Sequence, residues 1–222
     1  MQKNWNSLGL MSGTSGDGVD ASIIRTDGIS HYDSVQDKYF EYDSDIYKDI
    51  HKLKEKIHKK EHLKLYRKEI KNLERKITIF HAQIIKELRI SSDTIIGFHG
   101  QTIYHNPKEK KSIQLGNGKL LSQLSSKKVV FDFRKNDIVN EGQGAPLTPI
   151  FHHLLTVQNK FKLPICFFNI GGISNITIVK DKNDISKLVS KDIGPGNCLI
   201  DAWVRKNSNK TFDQDGLIAS RG

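Results

Sequence analysis

The chain has 222 residues, 36% of them apolar and 27% charged, with a formal net charge of +10, enough for one large domain or two small ones. Cys166 and Cys198 sit in no CxxC or metal-ligand spacing, which argues against a disulfide framework and for a reducing compartment. No apolar run reaches membrane-spanning length and the opening MQKNWNSLGL has no signal core, so the expectation is a soluble, cytoplasmic protein without a membrane partner.

Trp5 to Met11 reads as a strand, Asp20 to Thr26 as a second and Ser34 to Tyr42 as a third, joined as an antiparallel meander. From Asp45 to Leu88 the apolar spacing turns helical, with a break near His58 to Glu61. Residues 45–90 carry 14 Lys and Arg against 7 Asp and Glu, so +7 of the charge lies there and only +3 elsewhere. A solvated lysine-rich helix surface accounts for it. A nucleic-acid partner is not expected, because no aromatic interleaving or recognition motif accompanies the charge. Short strands follow at Thr94 to Phe98, Ser112 to Leu115 and Val129 to Phe133, with helices at Leu120 to Leu124 and Pro146 to Leu155. The opening pattern then restarts: strands at Ile165 to Asn169, Ser174 to Lys180 and Leu188 to Asp192, a Gly171-Gly172 turn, and a helix from Cys198 to Arg205. The repeat is one of architecture, without sequence identity. The tail FDQDGLIASRG reads as a loop.

Two small-residue hairpin turns are the candidate chemistry. Gly13, Thr14, Ser15, Gly16, Asp17 and Gly18 combine exposed backbone N–H groups with hydroxyl donors, as phosphate binding requires. Asp17 suits a hydrated Mg²⁺. There is no Walker motif, and an ordinary tight hairpin is the competing reading. His99 opens HGQT after a buried strand, at the strand end where α/β sheets place ligands. Gln101 and Thr102 offer donors for a sugar, and Arg134 a partner for a carboxylate. A packed histidine and an exposed arginine are the plainer readings. Asp192, before GPGN, is a candidate general base or else a turn residue.

The segments GLMSGTSGDGVDASI, FHGQTIYHNP, QLGNG, VVFDFRKNDI, GQGAPLTPIFH, NIGGISNIT, DIGPGNCLIDAW and FDQDG, in this order, resemble the anhydro-N-acetylmuramic acid kinase family from about Leu8 to Gly222. The resemblance implies an α/β, ribonuclease H-like fold of the actin and hexokinase type, with ATP between two domains. Residues 1–145 would be the first domain, complete, and residues 146–222 the first part of a second, truncated one. It implies ATP and Mg²⁺ as cofactors and an anhydro-amino-sugar as substrate. Water would open the 1,6-anhydro ring while ATP phosphorylates O6, giving N-acetylmuramic acid 6-phosphate in cell-wall recycling. Gly13 to Asp20, including Val19, would form the phosphate loop, and Gly171 and Gly172 would face it. Asp192 would activate the water, and His99, Gln101, Thr102 and Arg134 would lie near the sugar.

Two departures bear on this. Glu141 stands where the family usually has Gly, at a point where a left-handed backbone would cost Glu about 1–2 kcal/mol. Family members also run on for more than a hundred residues. A catalytically inactive remnant that at most binds sugar or phosphate is therefore the alternative. Homodimerisation, and a separate polypeptide supplying the missing lobe, stay open.

Overall fold

The computed structural model describes residues 4–222. The chain divides into two compact units, one ending at Ala145 and one spanning Pro146–Gly222.

The first unit opens with β1 (Trp5–Ser12), β2 (Gly18–Thr26) and β3 (Tyr32–Glu41), a continuous antiparallel meander. Helices α1 (Ser44–Lys56), α2 (His62–Leu65) and α3 (Arg67–Leu88) follow. Then come β4 (Ile95–Asn106), β5 (Lys111–Leu115), α4 (Gly118–Ser125), β6 (Lys128–Val130) and α5 (Phe133–Val139). The sheet order is β3-β2-β1-β4-β5, with β6 also on β4. β4 pairs in parallel with β1 and, through its first residues, with β6; its second half pairs antiparallel with β5.

Alternation and helical spacing build the core from the two sides. Leu8 and Leu10 of β1, Val19 and Ala21 of β2, and Ile96 and Phe98 of β4 are buried. Against them α1 places Ile46, Ile50 and Leu53, and α3 places Leu73, Ile77, Ile84 and Ile85. Each of these Leu, Ile, Val and Phe side chains contributes about 1.5–3 kcal/mol by leaving water. The cap of α4 is Asn117, whose side-chain oxygen accepts from Leu120 N at 2.9 Å.

The second unit contains α6 (Pro149–Gln158), the antiparallel sheet of β7 (Ile165–Ile170), β8 (Ile173–Val179) and β9 (Val189–Pro195), and α7 (Cys198–Asn207). His152 of α6 stacks on Phe167 with ring centroids 4.6 Å apart, and Thr177 and Val179 are buried. The alternate residues of β7, Phe168 and Ile170, project from the opposite face and are more than half exposed. Leu199, Ile200 and Trp203 of α7 are exposed as well.

Several sequence expectations shift. β2 starts at Gly18, two residues early, because Gly18 already pairs with Glu41. β4 does not stop at Phe98. It continues through HGQT across a bulge, where Leu10 opposes Phe98 but Ser12 opposes Gln101. His99 therefore sits within a strand rather than beyond its end. β6 is only three residues long, and Phe133–Val139 is a helix whose first turn carries Arg134. α6 begins at Pro149, not Pro146, with the proline in the first turn, where a missing N–H costs nothing. β9 runs on to Pro195, so Asp192 is mid-strand. The tail contains two 3₁₀ turns, Gln214–Gly216 and Ala219–Arg221, and Asp213, just before the first, accepts from Ile218 N and Ala219 N at the start of the second. Among the described residues no helix is long and apolar enough to cross a membrane.

Candidate active site

The β1–β2 connection is a closed turn. Gly16 N donates to Gly13 O at 3.2 Å, and Gly16 is left-handed with φ 72°. Thr14 and Ser15 at its tip are exposed, and Ser15 Oγ donates to Asp17 Oδ1 at 2.6 Å. From beneath, Gln101 Nε2 donates to Gly13 O at 2.9 Å. From α1, Lys54 Nζ donates to Thr14 O. A Cβ on Gly16 would lie 2.8 Å from Ile50 Cγ2 of α1. One on Gly18 would lie 2.4 Å from Phe40 O and 2.5 Å from the Tyr39 hydroxyl. Gly18 has an ordinary φ, so close approach alone demands glycine there. Val19 is wholly buried, and only its backbone is available at the turn.

The turn is electronegative. Burial, and then the carboxylates of Asp17, Glu41 and Asp20, push the Tyr39 phenol up to about 12. Burial and then Asp17 raise the Asp20 carboxyl. Burial lowers Lys54, while Asp17 opposes that shift. Behind the turn, Ser12 Oγ and the Tyr42 hydroxyl, both buried, bond at 2.8 Å.

The four candidate sugar residues, three on β4 and Arg134 on α5, are tied into the protein in different ways. Arg134 Nε donates to His99 Nε2 at 2.9 Å, which leaves the proton on Nδ1, donated to Gly100 O at 2.6 Å. Burial first, then Arg134, lower the His99 imidazole to about 4, so it is neutral near pH 7. Arg134 Nη1 donates to Gly144 O at 2.6 Å, and Asp137 Oδ2 accepts from Gly144 N at 2.6 Å. Arg134 thus binds a ring nitrogen and a carbonyl rather than a carboxylate, and holds the GQG loop against α5. Thr102 Oγ1 accepts from Gln114 Nε2 at 3.1 Å. Gln101 is wholly buried and aimed at the glycine turn, with its Oε1 unpartnered among the described residues. The backbone at Glu141 is left-handed, φ 69°, while its side chain is 85% exposed and lies 3.6 Å from Lys110. A left-handed backbone favours glycine there, and the carboxylate is exposed to solvent.

In the second unit the Gly171-Gly172 turn is braced by the chain after β9. Gly196 N donates to Gly172 O at 3.0 Å, Asn197 N to Gly171 O at 2.7 Å, and Asn197 Nδ2 to Ile170 O at 3.2 Å. A Cβ on Gly196 would lie 2.1 Å from Gly171 O, so the GPGN glycine is a packing requirement. Asp192 is exposed on β9, opposite Asn175 and just before a bulge.

Lys54 and Asp137 escaped sequence reading. Lys54 looked like one more solvated lysine, yet Ile46, Ile50 and Lys54 recur every fourth residue on the buried side of α1, a legible signal. Nothing local marked Asp137, because its partner Gly144 lies beyond the end of α5.

A ribonuclease H-like sheet carrying a glycine-rich turn at its first hairpin defines the class, that of actin-type ATPases and sugar kinases. The sequence profile described as anhydro-N-acetylmuramic acid kinase matches residues 6–222, and the chain belongs to that family. It is 55% identical to the anhydro-N-acetylmuramic acid kinase of Pelagibacter ubique (strain HTCC1062) over 225 residues, covering 100% of this chain and 60% of that protein. It is 38% identical to the protein of that name from Agrobacterium fabrum (strain C58 / ATCC 33970), covering 97% of this chain and 59% of the relative. The chain thus spans about 60% of the length of the curated relatives it matches.

Proposed function

We propose that the chain serves an ATP-dependent kinase reaction on 1,6-anhydro-N-acetylmuramic acid, in the cytoplasm and in amino-sugar recycling. Asp192 takes a proton from water as its oxygen adds to C1. The C1–O6 bond breaks, and the O6 electron pair attacks the γ-phosphorus of ATP. The products are N-acetylmuramic acid 6-phosphate and ADP. Positioning and charge stabilisation carry most of such a step.

The observation that carries this reading is the Gly13–Gly18 turn, seated close on α1 and β3 with Thr14 and Ser15 exposed at its tip. The donor set fits phosphate oxygens: the Thr14 hydroxyl, the backbone N–H groups of the turn, and Lys54 beside them, while the Ser15 hydroxyl is already donated to Asp17. In this reading Gly13 to Asp20 bind the triphosphate, Gly171 and Gly172 present backbone to it, and His99, Thr102 and Arg134 face the sugar. Among the described residues no group of three or more His, Cys, Asp or Glu is placed to hold a metal. Asp17, exposed at the turn, would hold a Mg²⁺ through water, and the ion would supply charge neutralisation to the phosphates. Neutral His99 accepts a hydrogen bond, and so orients Arg134, without adding positive charge.

ADP release coupled to a reporter enzyme, with and without the anhydro-sugar, tests the proposal. Asp192→Asn is expected to lower turnover by roughly 10²–10⁴-fold with ADP still bound. Equal turnover removes Asp192 from the chemistry. A second reading, binding without turnover, is favoured by the apolar residues the second unit exposes, among them Phe168, Ile170, Leu199 and Trp203. It predicts calorimetric binding of ADP with no sugar-dependent release until a second copy or a separate polypeptide covers that surface.

A further inference from the structure

The turn Gly13–Gly18 contains no basic residue and one carboxylate, Asp17, yet its proposed ligand is a polyanion. Two side chains from distant elements hold it. Gln101 Nε2 bonds the carbonyl of Gly13, and Lys54 Nζ bonds the carbonyl of Thr14. In a trans peptide the carbonyl of one residue and the N–H of the next point in opposite directions. Drawing the carbonyls of Gly13 and Thr14 inward therefore directs the N–H groups of Thr14 and Ser15 outward. Successive outward N–H groups form an anion-binding concavity.

We infer that Lys54 and Gln101 are positioning residues of the phosphate loop, gripping two consecutive carbonyls so that the Thr14 and Ser15 amides meet an anion, and that Lys54 supplies the positive charge the loop lacks. The inference rests on the nucleotide reading above. The orientation of the Gln101 amide is set by its partners, since Nε2 faces two carbonyls, Gly13 O and Thr102 O. Its Oε1 is buried and, among the described residues, unpartnered, 3.8 Å from the position a Gly16 Cβ would take. Lys54 Nζ lies 3.5 Å from that same position. The two groups therefore converge under Gly16. The closeness of Ile50 keeps that residue a glycine and the turn flat on α1. Burial lowers the Lys54 pKa, and the nearby Asp17 carboxylate opposes that shift.

The test is ADP binding by the 222-residue chain, measured calorimetrically at low and moderate salt, with the amide signals of Thr14 and Ser15 followed by NMR. Lys54→Met keeps the stem and removes the charge. It is expected to weaken ADP about tenfold, the scale of a lost hydrogen bond to a charged group, and to flatten the salt dependence. Lys54→Arg is expected to recover most of the affinity. Gln101→Met is expected to broaden or shift the Thr14 and Ser15 amides before any ligand is added. If both Met variants bind ADP with wild-type affinity and salt slope, the assignment falls and the nucleotide reading stands. If the wild type shows no ADP binding, the nucleotide reading falls and takes this assignment with it.

Discussion

His81 makes acid stability a direct test of how the first unit is packed. It lies on α3, wholly buried, with Nδ1–H donated to Ile77 O at 2.7 Å and its ring centroid 4.8 Å from that of Phe98. Its Nε2 has no partner among the described residues. Burial, chiefly, lowers its pKa from 6.5 to about 4, and nearby His99 adds to the shift. The folded protein thus resists a proton that the unfolded chain accepts. The stability this residue contributes is complete above pH 6.5 and is lost as the pH falls from 6.5 towards 4. Between pH 8 and pH 5 the loss from His81 comes to about 2 kcal/mol, from about 1.4 kcal/mol per pKa unit. His99, lowered to about 4 mainly by burial, acts in the same direction. Carboxylates with depressed pKa values, such as Asp37 and Asp93, titrate below this window. His81→Leu removes one buried histidine and its orphaned nitrogen, so at pH 8 it is expected to change stability by no more than about 1 kcal/mol. At pH 5 the variant is expected to gain about 2 kcal/mol relative to wild type. Urea unfolding followed through Trp5 in a Trp203→Phe background reads the first unit alone. Parallel pH profiles for variant and wild type between pH 8 and 5 would refute the reasoning.

Two substitutions test glycine logic in opposite senses. Gly18→Ala would place a methyl 2.4 Å from Phe40 O, against backbone that cannot swing away; a loss of about 1–3 kcal/mol is expected, seen as a fall in Tm, and a change under about 0.5 kcal/mol would mean that β2 and β3 are looser than described. Glu141→Gly relieves the left-handed backbone at φ 69°, worth about 1–2 kcal/mol, less about 0.5–1 kcal/mol for the freer unfolded glycine. The exposed Lys110 contact removed with it is worth little, so unfolding by denaturant should show a small gain, and a clear loss contradicts the strain argument.

Much of this protein was legible before folding. The alternation in β1 and β2, the 3.6-residue period of α3 and its break after α1 depend only on local pattern, and the structure shows them with ends moved by a few residues. The family could be read because its glycine turns are short, contiguous and chemically constrained. Glu141 stood out as a departure from the resemblance, and it sits on a left-handed backbone of the kind that favours glycine.

What local pattern misjudged are contacts between residues far apart in sequence. HGQT looked like a strand end because it is polar. It is strand interior because a bulge at His99 and Gly100 lets Gln101 turn inward to Gly13, 88 residues away. Arg134 looked ready for a carboxylate and is instead held by His99 and Gly144. Lys54 looked like solvent charge until α1 packed beside the first turn. Residue order along the chain determines periodicity, turn chemistry and kinship, because each acts within a few residues. The partners of a buried amide, an ammonium or a guanidinium were decided only by the tertiary structure, because a desolvated polar group takes whatever partner packing brings within reach.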